Sequence, residues 1–348
     1  MISICLIMKN EATRLESCLQ PLLPLGYEIL IADTGSSDES KKIAYRYTDK
    51  VYDYQWNNDF AAARNFIADK ATNEFVLFID ADEIITEVKK ELLEKLVNLR
   101  IGGIGSVIRI NNFTRGAEQY SGRERVSRLF SKKTYQYEGI IHEQVVSIRA
   151  KSNIYYNVPI VMHHVGYEGD VITRRKKTSR NIKLLKIQLE KKPEDPYVLY
   201  QLGKSYYMQK DYIKACKWFE KALSIDVNER LEYIQDLVET YGYALLEAKR
   251  YDTALQLLNI YDVFAKTADF VFLVGLIYMN NAYFKEAIEE FKKAVNMNHN
   301  NMDGVNSYRA FYNIGVIYEC LGQMKKAKEY YRRCGKYEPA LARLRDMS

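Results

Sequence analysis

The stretch Phe75-Val76-Leu77-Phe78-Ile79-Asp80-Ala81-Asp82-Glu83 decides how this chain is read. Its apolar first half reads as a buried strand, and the acidic residues follow without a break. In open α/β sheets ligands bind beyond the carboxyl ends of the strands, so these carboxylates stand where a phosphate and its metal would lie. Alternation along a strand predicts that Asp80 and Asp82 point the same way. One would hold a ribose hydroxyl, and the other would give oxygen to Mg²⁺ or Mn²⁺.

Working outward, Ser3 to Met8, Glu28 to Ala32 and Ile104 to Ile110 read as further strands. Glu11 to Leu23, Ser37 to Tyr47, Phe60 to Ala71 and Glu87 to Leu99 read as the helices between them. This alternation predicts an α/β domain, a mostly parallel sheet covered on both faces. The second strand runs into Asp33-Thr34-Gly35-Ser36-Ser37-Asp38, where Gly35 permits a tight turn and a serine can cap the next helix. Beyond capping, Asp33 is placed to accept from the imide N–H of a uracil-type base. The segment Trp56 to Asn65 puts Arg64 early on a helix near the same edge, where a guanidinium can pair bidentately with a diphosphate. From Asn112 to Tyr167 the pattern is of short strand-like runs, Gln144 to Arg149 and Ile154 to Met162, read as an acceptor-side extension.

After Pro196 the pattern is helix alone. Gly203 and Ala215, Gly242 and Ala254, Gly275 and Ala287, and Gly315 and Ala327 each stand 12 apart. Phe219, Leu258, Phe291 and Tyr331 follow the alanines by four. Small residues are needed where paired helices cross, and bulky ones fill the groove between them. The units resemble tetratricopeptide repeats, with irregular glycine intervals of 39, 33 and 40 residues. A length of 348 residues, more than twice the ~150 typical of a domain, agrees with two domains. The divisions are 1–175, a helical linker over 176–196, and 197–348.

The formal net charge of +6 suits phosphate-bearing small molecules without the basic stripe of a nucleic-acid binder. The run Arg174-Arg175-Lys176-Lys177 reads as a solvated face, with a phosphate clamp as the alternative. Five cysteines with no C-x-x-C pair point to reduced thiols and a cytoplasmic protein. No stretch reaches the ~20 apolar residues of a membrane helix.

Taken in this order, the three acidic and basic elements, with Lys9-Asn10-Glu11 after the first strand, resemble family 2 glycosyltransferases of the GT-A fold. The resemblance spans about residues 2–167. It implies a UDP-sugar donor, with Asp33 at the base, Asp80 at the ribose and Asp82 at the metal. Arg128-Leu129-Phe130, Tyr137 to Glu143 and His164-Val165-Gly166-Tyr167 are similar to segments of a narrower group that carries C-terminal tetratricopeptide-like helices, the sublancin-type peptide S-glycosyltransferases.

Within that frame His164 follows a strand and can add an imidazole nitrogen to the cation of Asp82, favouring Mn²⁺ over Mg²⁺; His163 competes for the role. Glu143 is the candidate catalytic base, since an inverting transfer needs a carboxylate opposite the leaving diphosphate. Glu83 and Asp38 are alternatives, and His142-Glu143 could instead fix the local fold. The leading reading is an inverting, metal-dependent hexosyltransferase acting on a peptide or protein, with a polysaccharide or lipid acceptor as the alternative. A catalytically silent repeat scaffold is the reading from another class. The repeats could also make a homodimer. Nucleotidyl transfer is disfavoured because no Gly-rich phosphate loop follows the first strand.

Overall fold

The computed structural model describes residues 1–99, 102–115, 118–149, 153–165 and 171–347. They form two compact units, Met1–Gln188 and Leu189–Ser348. Gly166 and Tyr167, the end of one expected motif, lie outside the described residues.

In the first unit, β1 (Ile2–Met8), β2 (Glu28–Asp33), β3 (Val51–Asp53) and β4 (Phe75–Phe78) run parallel. They continue into β5 (Glu83–Val88), β6 (Ile104–Arg115), β7 (Glu118–Ser131) and β10 (Tyr155–His164). The sheet order is β3-β2-β1-β4-β7-β6-β10-β5. A separate ribbon pairs β8 (Tyr135–Glu138) with β9 (Gln144–Ser147).

The sheet is more mixed than the strand–helix alternation predicts. β7 lies antiparallel to both β4 and β6, and β5 lies antiparallel to β10. The polar stretch after residue 111 is a long hairpin whose return strand is inserted into the sheet. Likewise the helix expected from Glu87 starts only at Lys90, because Glu83–Val88, with Ile84, Ile85, Thr86 and Val88, is a strand.

Both faces are covered, as the period of two along β1 requires. Ile4, Leu6 and Met8 pack with Leu77 and Ile79 beneath Leu15 and Leu19 of α1 (Leu15–Leu19) and beneath Leu93. After α2 (Ser40–Ala44), α3 (Phe60–Lys70) covers the other face, where Cys5, Leu30, Val76 and Phe78 meet Ala61 and Ile67. The last helices of this unit are α4 (Lys90–Asn98) and α5 (Val171–Lys191), and α5 runs across the border between the units.

The second unit is helical. Pro196–Met208 pairs with Tyr212–Leu223, Ala268–Asn280 with Phe284–Val295, and Tyr308–Cys320 with Met324–Arg333. A Cβ on Gly203 would stand 2.5 Å from the Phe219 ring, and one on Gly315 would stand 2.6 Å from Tyr331. The small residue and the aromatic residue of each unit are thus one contact.

The second repeat departs from the pattern. Its first helix is Glu232–Glu247, but its second breaks into Tyr251–Ala254 and a 3₁₀ turn, Leu255–Ile260. The tighter winding shifts the phase by one residue. Leu257 therefore takes the place expected of Leu258 and would meet a Cβ on Gly242 at 3.0 Å.

Gly203→Ala should lower stability by about 1–3 kcal/mol, overpacking at Phe219 outweighing the helix propensity gained. A urea melt checks it. Among the described residues no helix is long and apolar enough to cross a membrane.

Candidate active site

The acidic turn after β4 is the centre of the site. Glu83 N–H donates to the Asp80 carbonyl at 2.9 Å, and the Glu83 side chain returns to accept from Asp80 N–H at 3.0 Å. This turn ends the strand's alternation, so Asp80 and Asp82 do not share a direction as expected. Asp80 faces two arginines, and Asp82 faces a histidine.

Arg64 comes from α3, whose start is capped by the Asp59 carboxylate accepting from Ala62 N–H at 2.9 Å. Its Nη2 donates to Asp80 Oδ1 at 2.6 Å and its Nε to Glu143 Oε1 at 2.5 Å. The Arg64 side chain is 6% exposed and packs over Tyr137 at 5.2 Å. Arg64 thus organises two carboxylates, and its Nη1 is buried without a protein partner.

Arg128, on β7, donates from Nη2 to Asp80 Oδ2 and to Glu83 Oε1, each at 2.6 Å. Arg109 adds a bond to Glu83 at 3.2 Å. Burial alone would favour a neutral Asp80, but Arg128 and Arg64 outweigh it and hold its carboxyl far below the usual range. Glu83 is fully buried, which removes it as an alternative base.

Asp82 is drawn in by β10. Its carbonyl accepts from Val165 N–H at 2.9 Å, and its Oδ2 lies 3.2 Å from His164 Nε2. Burial pushes the Asp82 carboxyl up, and His164, through its hydrogen bond and its charge, together with Lys177 outweighs this, leaving it below its ordinary value. His164 Nδ1 lies 3.1 Å from Asn111 Oδ1. Neighbouring residues of a strand face opposite sides, so His163 points away from the side that His164 shares with Asp82.

One carboxylate oxygen beside one imidazole nitrogen is a donor set that fits Mn²⁺ or Mg²⁺, and Mn²⁺ better. Among the described residues no third His, Cys, Asp or Glu completes a protein-only cage. Such a pair leaves most coordination positions to phosphate oxygens and water.

Glu143 follows a turn in which Gly139 and His142 have φ of 105° and 51°. Phe60 N–H donates to the Ile140 carbonyl at 2.9 Å, and Ile140 N–H donates to Gln188 Oε1 at 2.9 Å. The turn is thus tied to α3 and α5, and Glu143 reaches Arg64. Asp33 ends β2, and its carboxylate accepts from Ser36 N–H at 3.1 Å and Ser36 Oγ at 2.6 Å. Asp38 is exposed and accepts from Ala12 N–H and from Ser40.

Two further residues bear on the site. Burial and the nearby Asp82 carboxylate push the Glu11 carboxyl up, and Lys177 opposes both. Lys177 acts on Asp82 in the same sense. One member of the basic run on α5 therefore faces the acidic site electrostatically, a role its charge-run context concealed. Asn111 escaped notice as a site residue, because a lone Asn carries no spacing signal, and Arg128 was read as part of a motif without a role in the site.

Comparison with known proteins bears on both parts of the chain. Residues 3–161 match the model for glycosyl transferase family 2. Residues 196–228, 268–301 and 308–341 match tetratricopeptide repeat models, which leave out the broken second repeat. The SPbeta prophage-derived glycosyltransferase SunS of Bacillus subtilis is 28% identical over 244 residues, 68% of this chain and 57% of that protein. A TPR repeat-containing protein of Synechococcus elongatus is 28% identical over 274 residues, 73% of this chain and 66% of that one. The chain thus spans under two thirds of the length of these relatives. Among solved structures, MamA 41-end from Desulfovibrio magneticus RS-1 is 24% identical over 48% of this chain and 89% of that chain, at a TM-score of 0.40. The chain carries a glycosyl transferase family 2 domain followed by tetratricopeptide repeats.

Proposed function

We propose that the protein is an inverting glycosyltransferase that moves a sugar from a UDP-sugar to a peptide or protein side chain, with Mn²⁺ (or Mg²⁺) held by Asp82 and His164. One observation carries the reading. An imidazole 82 positions downstream of an acidic loop lies 3.2 Å from its carboxylate, inside a family 2 domain.

Asp33 binds the uracil, and Asp80, fixed by two arginines, presents its outer edge to the ribose. Asp82 and His164 hold the cation, which supplies positive charge for the departing diphosphate. Lys177 adds a second positive charge near Asp82. Glu143 takes the proton from the acceptor hydroxyl or thiol. The acceptor atom then bonds to the anomeric carbon, and the carbon–oxygen bond to UDP breaks from the opposite side. The repeat array supplies the surface for an extended peptide, and the similarity of the chain to SunS favours that acceptor.

A thermal-shift assay with UDP and Mn²⁺ tests the reading. Stabilisation by both together, above either alone, is expected. No shift at millimolar ligand would favour the silent scaffold. Glu143→Gln should lower kcat by ~10²–10⁴-fold while leaving the UDP–Mn²⁺ shift in place. Loss of the shift along with the rate would mean that Glu143 serves Arg64 and not the acceptor.

A further inference from the structure

Given the UDP-sugar donor proposed above, on which the assignment rests, we infer that Arg180 and Lys177, one turn apart on α5, form a two-pronged clamp for the terminal phosphate of the nucleoside diphosphate. In the donor this is the phosphate that bears the sugar.

Arg180 is placed by an aromatic ring. Its guanidinium lies 5.3 Å from the ring centre of Phe60, the first residue of α3. Phe60 and Arg64 are four apart and share one face of that helix, and Arg64 holds Asp80 and Glu143. Arg180 thus stands one helical turn from the residue that anchors the acidic turn. Lys177 marks the other side of the same site, where it acts on the Asp82 and Glu11 carboxyls. Its spacing of three from Arg180 puts both cations on one face of α5, with Cβ atoms ~5–6 Å apart.

Arg180 is also short of negative charge. Among the described residues its side chain donates to Asn181 Oδ1 alone, from Nε at 3.4 Å and from Nη2 at 3.2 Å. Burial acts on it with no opposing carboxylate and draws its pKa below the ordinary arginine value. Arg64, Arg109 and Arg128 differ, each being paired with carboxylates. A partly desolvated guanidinium without such a partner gains most from a bidentate anion, and stacking on a ring steadies its fork. Ionised Asp82 offsets part of the charge of a divalent ion beside it, so a diphosphate there needs further cations. Lys177 and Arg180 supply them.

The experiment is calorimetric titration of the metal-free full-length protein with UDP, UMP and inorganic pyrophosphate. Arg180→Gln should weaken UDP ~10–100-fold and UMP much less, because UMP lacks the terminal phosphate. Arg180→Lys, which keeps the charge without the fork, should fall between wild type and Arg180→Gln. Lys177→Gln should weaken UDP in the same sense. A side chain that merely packs on Phe60 would change the melting temperature and leave the UDP-to-UMP affinity ratio alone, so that ratio decides.

An unchanged ratio in folded Arg180→Gln would overturn the clamp and leave the donor reading standing. Pyrophosphate bound as tightly as UDP by the wild type, and weakened in both glutamine variants, would keep the clamp and remove uridine from the reading. A wild type that binds neither UDP nor pyrophosphate, with Mn²⁺ or without it, would overturn both.

Discussion

Asp82→Asn is expected to lower sugar transfer by ~10³-fold or more while the protein stays folded. The backbone bond from Val165 N–H to the Asp82 carbonyl does not depend on the side chain, and an amide oxygen still accepts from His164. The charge is what goes. A neutral amide is a poor ligand for a hard cation, and the departing diphosphate loses the partner that the cation provides. The change also removes the negative neighbour that helps push Glu11 up, so the Glu11 carboxyl should titrate closer to its ordinary value. Initial rates, Mn²⁺ binding and circular dichroism on one preparation check the prediction. Normal turnover by a folded variant would remove Asp82 from the mechanism.

Arg128→Met should be the most destabilising single change in the first unit, at about 3–5 kcal/mol. Arg128 bridges Asp80 and the fully buried Glu83, and its loss leaves Glu83 with Arg109, at 3.2 Å, as the cation and with the Asp80 N–H. The acid limb of the stability curve should move as well. The Asp80 carboxyl is depressed below its ordinary value of 3.8 in the folded protein. Its stabilisation is therefore fully present above that value and is lost as pH falls through and below it. In Arg128→Met the depression is smaller, so less stability remains to be lost on acidification. Urea melts at pH 7 and at pH 2 should show a larger gap between wild type and variant at the higher pH. An equal gap at both would put the effect of Arg128 in packing and not in charge.

Much of this was legible in the residues. The apolar run into Asp80 fixed the sheet's central edge, and the scarcity of histidines drew attention to His164, which lies beside Asp82. The Gly–Ala spacing located the helix crossings at Gly203 and Gly315. What escaped was set by partners distant in the chain. Arg128 stood out only as part of the Arg128-Leu129-Phe130 motif, with no partner to be read for it, yet insertion of β7 between β4 and β6 buries it against Asp80. Arg64 stood out at the right edge, but its carboxylate partners did not, because its pairing with Glu143 joins positions 79 residues apart. The phase slip to Leu257 depends on where a helix tightens, which no residue type announces.

The place of β7 also bears on how the protein is made. Strands β1 to β4 and the acidic turn leave the ribosome first, but the guanidinium that neutralises Asp80 and Glu83 arrives some 45 residues after Glu83. A nascent chain ending near residue 115 therefore has Arg64 for Asp80 and Arg109 for Glu83 but lacks the guanidinium that bridges the two carboxylates, and this half of the sheet has to wait for its return strand before it can close. Any attempt to excise the first hundred residues as a minimal donor-binding module meets the same obstacle.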